Sequence, residues 1–184
     1  MEENELIMNM NITLHSQYDG LDLSVLVTGP EKAPAAVLQL THGMKGCKER
    51  FRPFMDYMAD HGVVCVANDL RGHGASVKDE KDRGYMYSGG YVALVEDMKV
   101  VTDWIHRTYP DLPVYLLGHS MGGFCVSLFG AKYPGAVKGI VMSGALTHDN
   151  IKLISGIPGG MDVHGRIPNA LGDGICSVKE VVDW

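Results

Sequence analysis

The amino-acid sequence predicts an α/β fold in which a mostly parallel sheet carries helices on both faces. Continuous apolar runs at 35–40, 63–67 and 137–142 alternate with segments whose apolar residues recur at helical spacing. Strands that are apolar on both faces need helices to cover both of them, which is typical of parallel sheets. A further apolar run, 114–117, leads into Gly118-His119-Ser120-Met121-Gly122, a G-x-S-x-G turn between a strand and a helix.

The remaining elements follow from local patterns. Residues 10–15 and 21–27 are expected to form a hairpin, because Tyr18-Asp19-Gly20 separates two strand patterns. Helices are expected over 51–61, ending at Gly62, and over 91–107. Their apolar faces comprise Phe51, Phe54, Met55 and Met58 in the first and Leu94, Val95, Met98, Val101 and Ile105 in the second.

The last apolar strand carries a separate expectation. Lys138 to Met142 is apolar at nearly every position, which predicts burial on both faces. If no further strand pairs with its outer edge, that edge offers unpaired backbone groups to another chain.

Composition excludes several classes of function. The net charge is −6 over 184 residues, which gives no reason to expect nucleic-acid binding. No stretch approaches the roughly 20 apolar residues needed to cross a bilayer, and the acidic start at Met1 does not resemble a signal peptide. Four widely spaced cysteines without a C-x-x-C pair indicate reduced thiols in a cytoplasm, rather than disulfides or a metal site.

The G-x-S-x-G turn explains why glycine stands on both sides of the serine. Gly118 and Gly122 remove side chains where the strand and the helix crowd together, and the tight turn exposes the Ser120 hydroxyl above the carboxyl end of the sheet. A hydroxyl in this position is a candidate nucleophile. A glycine-rich packing turn is the alternative.

Three further motifs strengthen a family resemblance. Leu40-Thr41-His42-Gly43-Met44, Asp69-Leu70-Arg71-Gly72-His73-Gly74-Ala75-Ser76 and the Tyr109 to Gly123 approach follow in the order seen in α/β-hydrolases. The chain resembles the monoacylglycerol lipase and lysophospholipase-like branch, also described as serine aminopeptidase S33-type hydrolases. The resemblance covers about residues 8 to 146.

The resemblance implies a reaction and its residues. Ser120 would attack an acyl carbonyl of a small ester substrate, and the backbone N–H groups of Met44 and Met121 would stabilise the oxyanion. The acyl-enzyme would then be cleaved by water, with no cofactor and no metal. His42 is expected to support the oxyanion loop, and His119 to shape the pocket. His73 as the catalytic base is a less favoured alternative to a scaffold role.

The C-terminal part departs from the family pattern. The acid and the histidine of the triad follow the serine in this family, yet only 64 residues follow Ser120. The expected fold is therefore C-terminally incomplete, with residues 1–146 as the N-terminal part of the hydrolase core and 147–184 as a partial cap. Asp149 and His164 are the remaining candidates for acid and base.

Two other functions stay open. The chain would be a catalytically inactive module that binds an acyl chain or a partner, or a peptidase built on the same scaffold. Transient contact with a membrane surface is compatible with a lipid-like substrate. No pattern in the sequence specifies the oligomeric state, or the acyl length and head group of the substrate.

Overall fold

The computed structural model describes residues 9–30 and 33–145, which form one six-stranded sheet with three α-helices. The strands are β1 (Asn9–His15), β2 (Asp22–Thr28), β3 (Ala36–Thr41), β4 (Val63–Asn68), β5 (Val114–His119) and β6 (Gly139–Ser143). The helices are α1 (Arg52–Asp60), α2 (Gly90–Thr108) and α3 (Met121–Lys132).

The sheet is parallel except at one side. Its strand order is β1-β2-β4-β3-β5-β6. β1 pairs antiparallel with β2, and β2 antiparallel with β4, whereas β4, β3, β5 and β6 run parallel. The mostly parallel sheet predicted from the apolar runs is thus confirmed, as is the hairpin, whose turn ends at Gly20 with φ +73°.

Helices cover both faces of the sheet. Met55 of α1 packs with Leu38, Leu40 and Cys65 on one face. On the other face α2 covers Val37, Val64 and Val114, and α3 packs beside α2. Every residue predicted for the apolar face of α2 is buried: Leu94, Val95, Met98, Val101 and Ile105.

The apolar face predicted for α1 is partly wrong. Met55 is fully buried, but Phe54 is 37% exposed, and the second buried position is Ala59. Phe51 and Met58 are partly buried and pack against the same core, so Phe54 is the one exposed residue of the four predicted. Helical spacing marks the residues that are able to face the core, whereas the docking angle of the helix selects among them.

The burial predicted for the last strand is also wrong. Ile140, Val141 and Met142 are 38%, 50% and 56% exposed. β6 is the outermost strand, and within the described residues no strand pairs with its outer edge. An apolar sequence suits a strand to a buried position, but burial itself depends on neighbouring elements.

Two expectations concern the ends of the chain and the membrane. The cap predicted for residues 147–184 lies outside the described residues, so the division of the chain at residue 146 stays a prediction. Among the helices that are described, none combines the length and the apolar character required of a bilayer-spanning segment.

Candidate active site

Three loops that carry the predicted motifs meet at one edge of the sheet. β3, β4 and β5 are adjacent and parallel, so the residues after Thr41, Asn68 and His119 leave the sheet on the same side. In open α/β sheets this carboxyl edge is where ligands bind.

Ser120 occupies the turn between β5 and α3 with an unusual backbone. Its φ is +55° and its ψ is −119°, a region that residues with a side chain rarely adopt. The N–H of Ser120 donates to the carbonyl of Ser143 over 2.8 Å, and its own carbonyl accepts from Gly123 over 2.9 Å. The strand–turn–helix geometry predicted from the G-x-S-x-G spacing is therefore present.

The glycines of the turn allow backbones to pack against each other. A Cβ on Gly122 would overlap the carbonyl oxygen of Thr41 and lie 2.6 Å from that of His42. A Cβ on Gly118 would overlap the carbonyl of Gly122. These contacts press the start of α3 against the end of β3, which holds the Ser120 turn beside the loop that follows β3.

Gly43 brings that loop next to the serine. A Cβ on Gly43 would lie 3.0 Å from the Cβ of Ser120 and 3.5 Å from its Oγ. Only a residue without a side chain permits this approach without displacement. Met44, which follows Gly43, and Met121, which follows Ser120, are both half-buried.

His42 is engaged in hydrogen bonds on both sides of its ring. Its Nε2 accepts from the N–H of Leu70 over 3.0 Å, so the proton resides on Nδ1, which donates to the carbonyl of Gly43 over 2.7 Å. Burial lowers the pKa of His42 to about 4, against the opposing effect of the bond to Gly43. His42 is therefore neutral near pH 7 and links the loops after β3 and β4.

His73 is also held by the scaffold. Its Nδ1 lies 3.1 Å from the carbonyl of Arg71, and burial lowers its pKa. The ring packs against that of His42, with centroids 5.2 Å apart, and its Nε2 has no hydrogen-bond partner among the described residues. These contacts fit a structural residue better than a base for Ser120.

Asp69 joins the same two loops through a buried carboxylate. One oxygen accepts from the N–H of Lys48 over 2.7 Å, and the other from the Lys48 ammonium over 2.8 Å and the N–H of Ala75 over 2.9 Å. The side chains of Asp69 and Lys48 are 0% and 4% exposed. Burial disfavours the charge of Lys48, but hydrogen bonds to Asp69 and Glu49 raise its pKa.

Arg71 anchors the loop after β4 to the rest of the molecule. Its guanidinium is fully buried and binds both oxygens of Asp97 on α2, at 2.7 and 3.1 Å. It also binds both oxygens of Asp19 in the hairpin turn and the hydroxyl of Ser16. Arg71 thus connects the loop after β4 with two other elements, α2 and the hairpin turn.

A cleft of about 790 Å³ opens between the loops after β3 and β4. Cys47, Glu49 and Asp69 line it and hold potential metal-binding atoms within 4.8 Å of one another. The ammonium of Lys48 already pairs with both carboxylates, at 2.6 Å from Glu49 and 2.8 Å from Asp69. The two carboxylates therefore share one ammonium of the protein, and burial raises the pKa of the Cys47 thiol, which keeps this third group protonated.

The predicted site residues fall into two groups. Ser120, Met44 and Met121 come together at the carboxyl edge of the sheet, whereas Asp149 and His164 lie outside the described residues. The sequence does not predict the pairing of Lys48 with Asp69. Nothing in the sequence signals it, because the two residues are 21 positions apart and the pair forms only when two loops meet.

Comparison with known families identifies the group to which this architecture belongs. The family described as serine aminopeptidase S33 matches residues 32–172. The chain belongs to this family. Its range includes all three motifs that surround Ser120.

Two curated relatives share about a third of their aligned residues with this family member. Monoacylglycerol lipase of Mycolicibacterium smegmatis is 32% identical over 124 residues, and human monoglyceride lipase is 32% identical over 132 residues. The alignments cover 66% and 72% of the present chain, but only 42% of each relative. The chain thus matches less than half the length of these relatives.

Solved structures show the same fold. A thermostable carboxyl esterase from Bacillus coagulans superposes with a TM-score of 0.69 at 23% identity, covering 74% of this chain and 44% of the esterase. A structure described as a lipase in its open form gives 0.67 at 19% identity, covering 80% and 51%. The predicted α/β-hydrolase fold is confirmed.

Proposed function

We propose that this chain carries the nucleophile and the oxyanion donors of a carboxyl-ester hydrolase. Ser120 attacks the acyl carbonyl, the alcohol leaves, and water cleaves the resulting acyl-enzyme. The observation that carries this proposal is the backbone of Ser120, which has φ +55° at the tip of the β5–α3 turn. Strain of this kind is concentrated at functional sites, and here it falls on the one serine of the motif.

The loop after β3 supports the second part of the proposal. Gly43, the residue before Met44, lies so close to Ser120 that a Cβ on it would be 3.5 Å from the serine Oγ. The N–H groups of Met44 and Met121 would stabilise the negative oxygen of the tetrahedral intermediate. Met121 is the first residue of α3, where the helix dipole also favours negative charge.

The substrate class rests on the relatives. Two of them are named for the hydrolysis of monoacylglycerols, and the present family member shares about a third of the aligned residues with each. Lipid-like carboxyl esters of the monoacylglycerol or lysophospholipid type are therefore the proposed substrates. Cytoplasmic location is proposed as well, because widely spaced cysteines without a C-x-x-C pair are typical of reduced thiols.

No base for Ser120 is identified among the described residues. His42 and His73 are held by backbone groups, and among the described residues no hydrogen bond joins either ring to the Ser120 hydroxyl. Asp149 and His164 remain the candidates, with residues 147–184 contributing a cap. Without a positioned base, a serine hydrolase retains only the part of its rate that comes from binding and the oxyanion hole. We therefore expect weak ester turnover by the 184-residue chain.

Hydrolysis of a monoacylglycerol and of a short p-nitrophenyl ester tests the function. We expect a low rate that disappears in Ser120→Ala and persists in Ser127→Ala, an exposed position on the same helix. A rate that is unchanged in Ser120→Ala would refute the role of this serine. A high rate that depends on both Ser120 and His164 would assign His164 as the base.

The alternative function is a catalytically inactive module that binds acyl chains. The observation in its favour is that both buried imidazoles near the site are engaged with the scaffold. A fluorescent fatty acid would bind this module, and binding would persist in Ser120→Ala. An amide substrate cleaved in preference to esters would instead support a peptidase.

A further inference from the structure

The loop from Gly43 to Lys48 is attached at both ends to the segment that follows β4. At its start, the His42 ring accepts from the N–H of Leu70 over 3.0 Å and contacts the carbonyl of Gly43 over 2.7 Å. At its end, the Asp69 carboxylate accepts from both the N–H and the ammonium of Lys48. The loop that contains Met44 is thus bound at two points.

The backbone of this loop adopts a conformation that is unfavourable for most residues. Lys45 has φ +57°, which few residues with a side chain adopt. The N–H of Gly46 donates to the carbonyl of Gly43 over 3.0 Å, and a Cβ on Gly46 would lie only 2.8 Å from that oxygen. A backbone of this kind persists only when the surrounding structure holds it in place.

The segment after β4, to which the loop is attached, is itself held in place by Arg71. Arg71, two residues after Asp69, binds Asp97 of α2 and Asp19 of the hairpin turn. The N–H of Ala75 donates to the same carboxylate oxygen of Asp69 that the Lys48 ammonium binds. Asp69 therefore connects the end of the Gly43–Lys48 loop to the segment after β4, which Arg71 holds in place.

Lys48 is the residue on which the second attachment depends. Its side chain is buried, and its ammonium lies 2.8 Å from Asp69 and 2.6 Å from Glu49. Without this cation, Asp69 would remain a buried charge with only backbone donors. Such a charge is unfavourable, and the surrounding loops would open to admit water.

We propose that Lys48 and Asp69 are positioning residues that hold the Met44 N–H in place for the oxyanion. This inference rests on the proposed function, because the alignment of the Met44 N–H matters only if that group stabilises an oxyanion formed when Ser120 reacts. Misplacement of such a donor by about 1 Å is enough to lower a rate by about a hundredfold.

The test compares Lys48→Met with the wild type, with Lys48→Arg, which retains a cation, and with Lys81→Met as a control. Lys81 forms an ion pair with Asp79 at an exposed site, 78% exposed for the lysine. Two quantities are measured on each folded protein: the ¹⁵N order parameter of the Met44 amide, and the rate at which a fluorophosphonate ester labels Ser120, resolved into a maximal rate and a half-saturating concentration. Lys48→Gln replaces the methionine variant if that variant does not fold.

We expect the Met44 order parameter to fall from about 0.85 to below about 0.6 in Lys48→Met, while amides in α2 keep their values. The maximal labelling rate should fall by about ten- to a hundredfold with little change in half-saturation, since alignment and not binding is lost. Lys48→Arg should restore part of both quantities, and Lys81→Met should change neither.

The outcomes separate this inference from the proposed function. An unchanged Met44 order parameter in Lys48→Met, or an unchanged maximal labelling rate in a wild type that is labelled, would overturn the positioning role. A wild type that is not labelled at all would instead contradict the proposed function. The order parameters would then still decide whether Lys48 holds the loop.

Discussion

The N–H of Leu70 donates to Nε2 of His42 over 3.0 Å, and this bond requires the ring to be neutral. A protonated imidazole would carry hydrogen on both nitrogens and lose its acceptor. Burial acts in the same direction, since it lowers the pKa of His42 to about 4 from an ordinary value of 6.5. The link between the loops after β3 and β4 is therefore sensitive to pH.

This relationship predicts how stability depends on pH. Between pH 6.5 and 4 the unfolded chain binds a proton at His42 that the folded protein does not, so stability rises with pH in this window. The contribution is fully present above pH 6.5 and is lost as the pH falls towards 4. This lowering of the His42 pKa, from 6.5 to about 4, corresponds to about 3 kcal/mol.

Chemical denaturation at several pH values measures the effect. The gap in unfolding free energy between the wild type and His42→Gln should shrink by about 3 kcal/mol from pH 7 to pH 4. His15→Gln, at a histidine whose side chain is 72% exposed, is the control. A gap of constant size across this range would contradict the neutral, buried state of His42.

Close backbone packing at the Ser120 turn predicts the effect of Gly122→Ala. The new Cβ would overlap the carbonyl oxygen of Thr41 and lie 2.6 Å from that of His42, and neither is a flexible side chain. We expect a loss of about 3 kcal/mol or more in unfolding free energy. Gly139→Ala, which meets only the Tyr115 ring at 3.3 Å, should change stability by less than about 1 kcal/mol. Equal effects of the two substitutions would refute the packing described for α3 against β3.

The buried guanidinium of Arg71 predicts a large loss when it is removed. Arg71→Met would leave Asp97 buried without its cation, with a cost of about 3–5 kcal/mol. Arg71→Lys should recover little, because one ammonium cannot reproduce the paired contacts to Asp97 and Asp19. Thermal melting measures both. A melting temperature in Arg71→Met that matches the exposed control Lys81→Met would contradict the role of Arg71 as an anchor.

The parts predicted correctly from the sequence are those determined locally. The Ser120 turn follows from the spacing of two glycines around one serine, and α2 follows from the apolar positions between Leu94 and Ile105. Both patterns depend on residues within one strand–helix or helical segment. The order of the motifs along the chain then suffices for the family and the fold.

The parts that were missed depend on contacts between distant segments. Phe54 and Met55 are adjacent apolar residues, and only the docking of α1 determines that Met55 is buried. Val141 has a sequence suited to a core, yet it is 50% exposed, because its neighbours and not its own character decide its burial. Lys48 and Asp69 meet across 21 positions, a distance that no local pattern encodes.

The exposed face and edge of β6 predict self-association of the 184-residue chain. Within the described part of the chain, this strand has no partner at its outer edge, and Ile140, Val141 and Met142 are all exposed. Val141 has an apolar residue on each side, Ile140 and Met142. Two copies of β6 could therefore pair antiparallel about Val141 with apolar residues opposite each other. An exposed apolar edge is a template for such pairing. Sedimentation velocity should therefore show dimers or larger species that increase with concentration.

Substitution within β6 provides the control for this expectation. Val141→Lys places a charge on the edge strand and should shift the protein towards monomer. Tyr57→Lys replaces a residue of comparable exposure, 58%, on α1 and should leave association unchanged. A wild type that sediments as a single monomeric species at all concentrations would show that the edge is covered.

The role of Ser120 as the nucleophile is tested by mass spectrometry after exposure of the protein to a fluorophosphonate ester. The strained turn presents one serine hydroxyl beside Gly43 and at the start of α3. We expect one phosphonyl group per chain, located on the peptide that contains Ser120, with none in Ser120→Ala and full labelling in Ser127→Ala. Absence of the label from Ser120 after prolonged exposure, or its attachment to a different serine, would contradict the assignment of Ser120 as the nucleophile.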